Sequence, residues 1–553
     1  MNFSSKRLSQ TITQLCLVKE IDHVVISPGS RNAPLTIGFT EHPFFKTFSI
    51  VDERSAAFFA LGIAQQIKKP VALVCTSGSA MLNYYPAVAE AFYSDIPLVV
   101  ISADRPEYLI EVGDGQTIKQ ENVFANHILY SANCKEGDEF QIHNETEVNI
   151  ALNTSLELRG PVHINAPFDE PLYERRNDLQ VRPQHVPIRI IEESIPDFEE
   201  LQSLWNTSGK KMILVGAMSP GSLNSKIAER LASDGEVLVL TETTSNVRHP
   251  NFVPAIDQLI SALENKEFEE LRPDLLVTFG GMIISKRIKA FLRKYPPRHH
   301  WHVDTKKAYD TFFILSQHVK MSPNRFFKNL LKEIEPSKPA YRDTWLAIKN
   351  HRLKKHAEYL EVIPYSDFKV YYNLFASIPK NYQVQIANSA AVRYAQLFDL
   401  DESLKVFCNR GTSGIDGSTS TAIGAALGSN TRTVLVTGDL SFFYDSNALW
   451  NAYIPKDFRI IIINNAGGGI FRILPGAKET DHFKTYFETT HGLNAKNLSE
   501  MFGIGYLAAS DEKQLMECLE DFYSESDVPR ILEVFTPAEL NDKILVDYFE
   551  FIQ

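Results

Sequence analysis

Short, continuous runs of aliphatic and β-branched residues recur along this chain, each followed by a helix-length stretch. They fall at 23–27, 71–76, 98–102, 212–215, 237–241, 275–279, 384–386, 433–437 and 459–463. A strand with one face in water alternates apolar and polar residues. A strand covered on both faces does not, and parallel sheets wrapped by helices need that second kind. The expected fold is therefore α/β, built from doubly wound parallel sheets. At 553 residues the chain has room for about three or four such units.

The two ends of the chain echo each other. Val-Val-Ile-Ser-Pro-Gly-Ser-Arg (24–31), Val-Ala-Leu-Val-Cys-Thr-Ser-Gly (71–78) and, after Pro97, Leu-Val-Val-Ile-Ser-Ala-Asp (98–104) lie near the start. Val-Gln-Ile-Ala-Asn-Ser (384–389), Val-Leu-Val-Thr-Gly-Asp (434–439) and, after Pro455, Arg-Ile-Ile-Ile-Ile-Asn-Asn (459–465) lie near the finish. Ser27 and Asn388 are 361 positions apart, as are Thr76 and Thr437, and Pro97 and Pro455 are 358 apart. A nearly constant offset predicts two similarly folded domains flanking an insert. Charged, proline-bearing joints at 174–196 and 333–341 divide the chain into segments 1–185, 190–340 and 355–553. A polar helix near 341–360 leads into the last of them.

The net charge of −12 argues against sequence-independent nucleic-acid binding, which needs a basic face. Cys16, Cys75, Cys134, Cys408 and Cys518 are scattered and form no Cys-x-x-Cys pair, the pattern of reduced thiols in a cytoplasmic protein. No apolar run is long enough to span a bilayer, so no membrane insertion is expected.

The strongest local signal is Val-Thr-Gly-Asp-Leu (436–440) followed by Ile-Asn-Asn-Ala-Gly-Gly-Gly (463–469). One helix and one strand separate them, which places both at carboxyl ends of neighbouring strands, where open α/β sheets bind ligands. Asp439 and the amide oxygen of Asn465 are hard ligands suited to Mg2+, and Gly467 can add a carbonyl. The turn Gly438-Asp439-Leu440 opens a helix whose free N–H groups favour a diphosphate. An ordinary Asp-capped turn beside a glycine-rich loop is the bland alternative. In the other half, Ile-Val-Asp-Glu-Arg-Ser-Ala-Ala (50–57) sets Glu53 at a strand-to-helix junction, where an acid could simply complement the helix dipole.

Gly-Asp followed about 25 residues later by Asn-Asn resembles the signature of thiamine-diphosphate-dependent enzymes, although the residue after Asp is more often Gly or Ala there than the Leu440 found here. The resemblance implies a pyrimidine-binding domain (1–185), a central domain (190–340) and a diphosphate-binding domain (355–553). It also implies that Glu53 bonds N1′ of the cofactor's aminopyrimidine and favours the tautomer that deprotonates the thiazolium carbon C2. Ile415, in Asn-Arg-Gly-Thr-Ser-Gly-Ile-Asp-Gly (409–417), would hold the cofactor bent.

Within that superfamily the chain resembles the 2-succinyl-5-enolpyruvyl-6-hydroxy-3-cyclohexene-1-carboxylate (SEPHCHC) synthase family of menaquinone biosynthesis over nearly its whole length. The segments that carry this are Ser-Pro-Gly-Ser-Arg (27–31), Asp-Glu-Arg-Ser-Ala (52–56), Thr-Ser-Gly-Ser-Ala (76–80), Ser-Ala-Asp-Arg-Pro (102–106) and Gln-Thr-Ile-Lys-Gln (116–120). They continue with Ser-Lys-Arg (285–287), Asn-Ser-Ala-Ala-Val-Arg (388–393), the 409–417 segment and Gly-Gly-Ile-Phe-Arg-Ile-Leu-Pro (468–475). The family decarboxylates 2-oxoglutarate and adds the resulting four-carbon carbanion to isochorismate. By resemblance, Ser30, Arg31, Arg105, Gln116, Lys286 and Arg287 hold isochorismate, and Ser389, Arg393 and Arg410 hold the 2-oxoglutarate-derived chain. Arginine's planar fork suits such dianions. Ile470, Phe471 and Leu474 would supply a water-excluding apolar wall. Gly115 stands where some relatives carry an asparagine that touches isochorismate.

The resemblance further implies Mg2+ (or Mn2+) and a homodimer or dimer of dimers, with each cofactor bridging Glu53's domain of one subunit and Asp439's domain of the next. The runner-up is another decarboxylase or carboligase of the acetohydroxyacid synthase type, which would leave Arg31, Lys286, Arg287 and Arg393 together without a reason. A non-catalytic cofactor-binding protein would have no use for Glu53. No Gly-x-Gly-x-x-Gly follows a strand, so neither a dehydrogenase nor a second nucleotide in the central domain is expected.

Overall fold

The computed structural model describes residues 2–189, 193–338, 341–473, 476 and 478–553. The expected architecture takes the form of three six-stranded parallel sheets. The first contains β1 (His23–Ile26), β2 (Lys46–Ser49), β3 (Val71–Cys75), β4 (Leu98–Asp104), β5 (Ser131–Asn133) and β6 (Val162–Pro167), in the order β2-β1-β3-β4-β6-β5. The middle one contains β7 (Lys211–Val215), β8 (Val237–Leu240), β9 (Phe252–Val253), β10 (Leu275–Phe279), β11 (His299–Val303) and β12 (Gln317–Val319), ordered β9-β8-β7-β10-β11-β12. The last contains β13 (Gln383–Ile386), β14 (Lys405–Phe407), β15 (Thr433–Gly438), β16 (Arg459–Asn464), β17 (Gly505–Ala509) and β18 (Arg530–Phe535), ordered β14-β13-β15-β16-β18-β17. First and last sheets thus share one strand order, and the middle sheet has another.

The strands legible as apolar runs are the covered ones. Every residue of β3, β4, β7 and β16 is buried. Strands such as β2, β12 and β14 are short edge strands with partly exposed residues, so they leave no continuous apolar run.

Equivalent helices in the two similar domains pack on each other. Glu53–Ile67 follows β2, and Ser418–Ser429 follows β14. They meet across two glycines. A Cβ on Gly62 would lie 2.0 Å from the Thr421 carbonyl oxygen, and one on Gly424 would lie 2.0 Å from that of Phe59. Only glycine allows backbones so close. Ala56, Ala57, Ala60, Ala422 and Ile423 sit in one hydrophobic core that runs without a break from the first domain into the last.

The helix Tyr341–Val362 ties the middle domain to the last. The Tyr341 hydroxyl donates to the Leu271 carbonyl, and the Tyr359 hydroxyl donates to that of Ile544. The joint expected at 174–196 is partly anchored: Phe3–Ser4 pairs antiparallel with Arg175–Arg176, and Asn149 and Asn153 bond the carbonyls of Gln184 and Val186. Among the described residues no helix is long and apolar enough to cross a membrane.

Candidate active site

β15 is buried up to Thr437 and delivers Asp439 to the start of the helix Asp439–Tyr444. The helix expected to open at this turn is present but has only six residues, so the dipole it adds is small. Asp439 is 3% exposed. One of its oxygens accepts from the Leu440 N–H at 2.6 Å and the other from the Gly467 N–H at 2.9 Å. Nε2 of His491 lies 3.2 Å from the second oxygen. Burial raises the Asp439 carboxyl above its ordinary range, and the Leu440 N–H, His491 and the Gly467 N–H oppose that rise.

β16 delivers the two asparagines, which do different work. Asn464 is structural: its Nδ2 donates to Glu533 at 2.7 Å and to the Leu493 carbonyl at 3.0 Å, and its Oδ1 accepts from the Ala466 N–H. Asn465 donates Nδ2 to Asp367 at 2.9 Å. Gly467 has φ +151°, and a Cβ there would come within 2.7 Å of the Glu488 carbonyl oxygen. The Gly467 N–H to Asp439 contact brings the carboxylate beside the loop that carries the Asn465 amide and the Gly467 carbonyl. Such hard oxygen donors suit Mg2+, which takes few protein ligands and completes its shell with phosphate and water. The residues present therefore fit a diphosphate-bound divalent cation.

Beside this loop, a cavity of about 610 Å³ opens between the last and middle domains. Ser389, Arg393, Arg410, Ile415, Asn465, Ile470 and Phe471 line it from the last domain, and Lys286 and Arg287 from the middle one. Leu474 lies outside the described residues. Ser389 sits at φ +69°, a strained conformation for a residue with a side chain, and its carbonyl accepts from Arg393 Nη1 at 2.7 Å. Arg410 donates to Asn388 Oδ1 at 2.8 Å. Burial pulls Arg393 below its ordinary pKa, and repulsion by Arg410 adds to that. Ile415 keeps 36% of its surface exposed, and its carbonyl is held by the Ser441 hydroxyl at 2.7 Å. An aliphatic side chain left open at a cavity wall is what pressing on a bound ring requires.

The middle domain's cations are placed by carboxylates that sequence inspection did not single out. Lys286 and Arg287 begin the helix Lys286–Lys294, capped by Ser285. Buried Glu242 accepts the N–H groups of Ile284 and Ser285 at 2.8–3.0 Å and so fixes the turn before that helix. Burial pushes the Glu242 carboxyl up to about 7. Asp257 accepts from the Ser285 hydroxyl. The Arg287 guanidinium lies over the Phe549 ring, 4.6 Å from its centroid.

The first domain carries the other predicted residues at the carboxyl ends of its own strands. Ser30 and Arg31 follow β1, Glu53 follows β2, and Arg105 follows β4. Glu53 is the first residue of its helix, and the preceding Asp52 caps it by accepting the Ser55 N–H at 3.0 Å. Burial raises the Glu53 carboxyl, with Asp52 adding to the rise. Arg31 donates to the Phe168 carbonyl at 2.8 Å, Ser30 meets the Tyr173 hydroxyl at 3.0 Å, and Arg105 donates to the Gly115 carbonyl at 3.1 Å. Gln116 has φ +54°. Buried Gln120 anchors its loop by accepting the Gly78 N–H and donating to the Ala103 carbonyl and Asn165.

The predicted residues therefore form two sets. Lys286, Arg287, Ser389, Arg393, Arg410, Ile415, Asn465, Ile470 and Phe471 share one cavity, next to Asp439 and Gly467. Ser30, Arg31, Glu53, Arg105 and Gln116 do not line it. Asp367, Glu242, Asp257, His491 and Gln120 escaped sequence inspection, because each looks like an ordinary polar residue at a helix start or in a loop.

Known proteins match along the whole chain. Residues 6–126 match the N-terminal TPP (thiamine pyrophosphate) binding domain of thiamine pyrophosphate enzymes, 189–383 their middle domain, and 388–534 their C-terminal TPP binding domain. A 2-succinyl-5-enolpyruvyl-6-hydroxy-3-cyclohexene-1-carboxylate synthase of Flavobacterium johnsoniae is 56% identical over 98% of both chains. One of Christiangramia forsetii is 52% identical over the full length of both, and one of Bacteroides thetaiotaomicron is 36% identical over 99% of both. With three domain matches in order and full-length relatives at these identities, the chain belongs to the SEPHCHC synthase family of thiamine-diphosphate-dependent enzymes.

Proposed function

We propose that this chain decarboxylates 2-oxoglutarate and joins the resulting four-carbon unit to isochorismate by conjugate addition, giving SEPHCHC and CO2 for menaquinone synthesis. The observation that carries this is the cation-lined cavity between the middle and last domains of a protein whose net charge is −12. Arg393, Arg410, Lys286 and Arg287 converge there beside the Asp439–Asn465–Gly467 loop, as two dianionic substrates require.

Thiamine diphosphate, when bound, supplies the carbon nucleophile and the electron sink that decarboxylation needs. Asp439, the Asn465 side-chain oxygen and the Gly467 carbonyl would hold Mg2+ (or Mn2+), with Gly438 and Leu440 against the diphosphate. Ile415, open to the cavity, would stand against the bound cofactor. Glu53 shares a proton with N1′ of the aminopyrimidine, and its burial, which favours the protonated carboxyl, suits that task. Ser389, Arg393 and Arg410 orient 2-oxoglutarate. Ser30, Arg31, Arg105, Gln116, Lys286 and Arg287 orient isochorismate, and Ile470 and Phe471 keep water from the reacting carbon.

The two sets of residues meet when the first domain of one subunit closes on the last and middle domains of another. We therefore read the active form as a homodimer or a dimer of dimers. The five free cysteines support a cytoplasmic location. Incubation with 2-oxoglutarate and isochorismate, with and without thiamine diphosphate, tests the assignment. CO2 release from pyruvate in place of 2-oxoglutarate would instead indicate an acetohydroxyacid synthase type of reaction, and no coupled product would reject the reading.

A further inference from the structure

Asp367 is a buried carboxylate to which the scheme above gives no task. It is the first residue of the helix Asp367–Ser377, is 3% exposed, and lines the same cavity as Asn465. Its Oδ1 accepts from the Thr536 hydroxyl at 2.6 Å, and its Oδ2 accepts from Nδ2 of Asn465 at 2.9 Å. Its own N–H donates to Asn541 Oδ1 at 2.8 Å.

Thr536 and Asn465 occupy matching places. Asn464 on β16 pairs with Phe535 on β18, and the Thr536 N–H donates to the Asn464 carbonyl at 3.0 Å. Asp367 thus grips the first residue beyond each of two adjacent strands. One of the two is the residue read above as a metal ligand, and the inference rests on that reading.

An asparagine amide has a donor end and an acceptor end of nearly equal shape. Packing alone does not decide which end faces a cation. Asp367 decides it: one of its oxygens is taken by the Thr536 hydroxyl, and the other accepts from Asn465 Nδ2. Opposite Asp367, Asn465 must present Nδ2, and its Oδ1 is then turned away. A flipped amide would set two oxygens against each other at hydrogen-bond distance and aim an NH2 group at the cation.

We infer that Asp367 is a positioning residue that fixes the Asn465 amide with its oxygen toward the divalent cation. Outer partners of metal ligands commonly change metal affinity about 10–100-fold when replaced.

The test is Mn2+ binding to the full chain in the presence of thiamine diphosphate, followed by the loss of the free-ion electron paramagnetic resonance signal. Asp367→Asn should weaken Mn2+ about 10–100-fold, because an amide at 367 satisfies either orientation of Asn465. Asn465→Asp should also weaken it, since two carboxylates then face each other. The reciprocal double variant D367N/N465D restores one donor opposite one carboxylate and should recover most of the affinity. A mere helix-start role for Asp367 gives no such rescue. Thr536→Val is a milder probe that keeps the carboxylate but releases its other oxygen, and it should cost about threefold to tenfold.

Wild-type affinity in both Asp367→Asn and Thr536→Val, or additive losses in the double variant, overturns the inference. If Asp367→Asn does not fold, the double variant and Thr536→Val still decide. A wild-type chain that takes up no Mn2+ would reject the metal site itself, and the inference with it.

Discussion

The first and last domains are the same scaffold carrying different chemistry. Both order their strands identically, and both send a helix from an edge strand, Glu53–Ile67 and Ser418–Ser429, into a shared glycine-to-backbone contact. As the first residue of that helix the first domain has Glu53 and the last has Ser418. After the next strand the first domain has Thr76, Ser77 and Gly78, and the last has Asp439. After the strand beyond that, Arg105 stands in one and Asn465 in the other. The duplicated fold keeps its packing symmetric while its carboxyl-edge residues differ. In the function proposed above one side would serve a proton and anions and the other a cation, and neither side would be a complete site.

The sharpest way to break this comparison is to disable each half in a different chain. Glu53→Gln should lower turnover by about 10²–10⁴-fold, and Asp439→Asn should lower it too by weakening the cation. If sites form between subunits, co-assembled chains carrying one variant each contain a site with both residues intact. The mixture should regain coupled CO2 release that neither variant shows alone. No recovery from verified mixed dimers would place both residues of each site in one chain.

The middle domain, with its different strand order, contributes through buried charge. Glu242 rises from an ordinary 4.5 to about 7, chiefly by burial, with Asp257 adding and the Ile284 and Ser285 N–H groups and Arg410 opposing. An acid whose pKa rises on folding holds its proton more tightly in the folded chain. Stability is therefore lost as pH climbs from about 4.5 through about 7, by an amount on the order of 3 kcal/mol. Glu242→Gln should flatten that part of the stability–pH curve, measured by denaturant unfolding across the window. An unchanged slope would show that Glu242 is ionised throughout.

How much of this was legible beforehand follows from burial. Strands covered on both faces, such as β4 and β16, declared themselves as apolar runs, and their carboxyl ends located Arg105, Asn465 and, by the same logic on β15, Asp439. Edge strands such as β2 and β14 did not, because half-exposed residues carry no periodic signal over so few positions. The residues that support the site were hidden for a different reason. Asp367 and Glu242 gain their roles only from partners about 98 and 42 positions away, and no local pattern records such a meeting.

The contact between the symmetric helices is open to a smaller perturbation. In Gly424→Ala the new Cβ would lie 2.0 Å from the Phe59 carbonyl oxygen, so the helices must separate. A cost of about 1–3 kcal/mol is expected, a drop of about 2–12 °C in Tm. Gly492→Ala, where a Cβ meets nothing within 4 Å, is the matched control and should hold the Tm within about 1–2 °C. Equal behaviour of the two would mean that the shared core tolerates a wider helix spacing than the glycines imply.

The smallest effect concerns Gly115, the position before Gln116, where the family resemblance implies an asparagine in some relatives. A Cβ on Gly115 would meet nothing within 4 Å, so packing does not demand glycine there. The residue's carbonyl accepts from Arg105 at 3.1 Å, which keeps position 115 beside one of the cations assigned to the same substrate. A side-chain amide at 115 therefore starts close to the anion that Arg105 would hold. Gly115→Asn should lower the KM for isochorismate by about twofold to tenfold, the worth of one added hydrogen bond, and leave the KM for 2-oxoglutarate and the Tm unchanged. Gly115→Ala, which adds volume without a donor, should change neither KM. If the alanine variant instead raised the isochorismate KM, the open space beside Gly115 would itself be part of the substrate's berth, and the first domain would recognise isochorismate by shape as well as by charge.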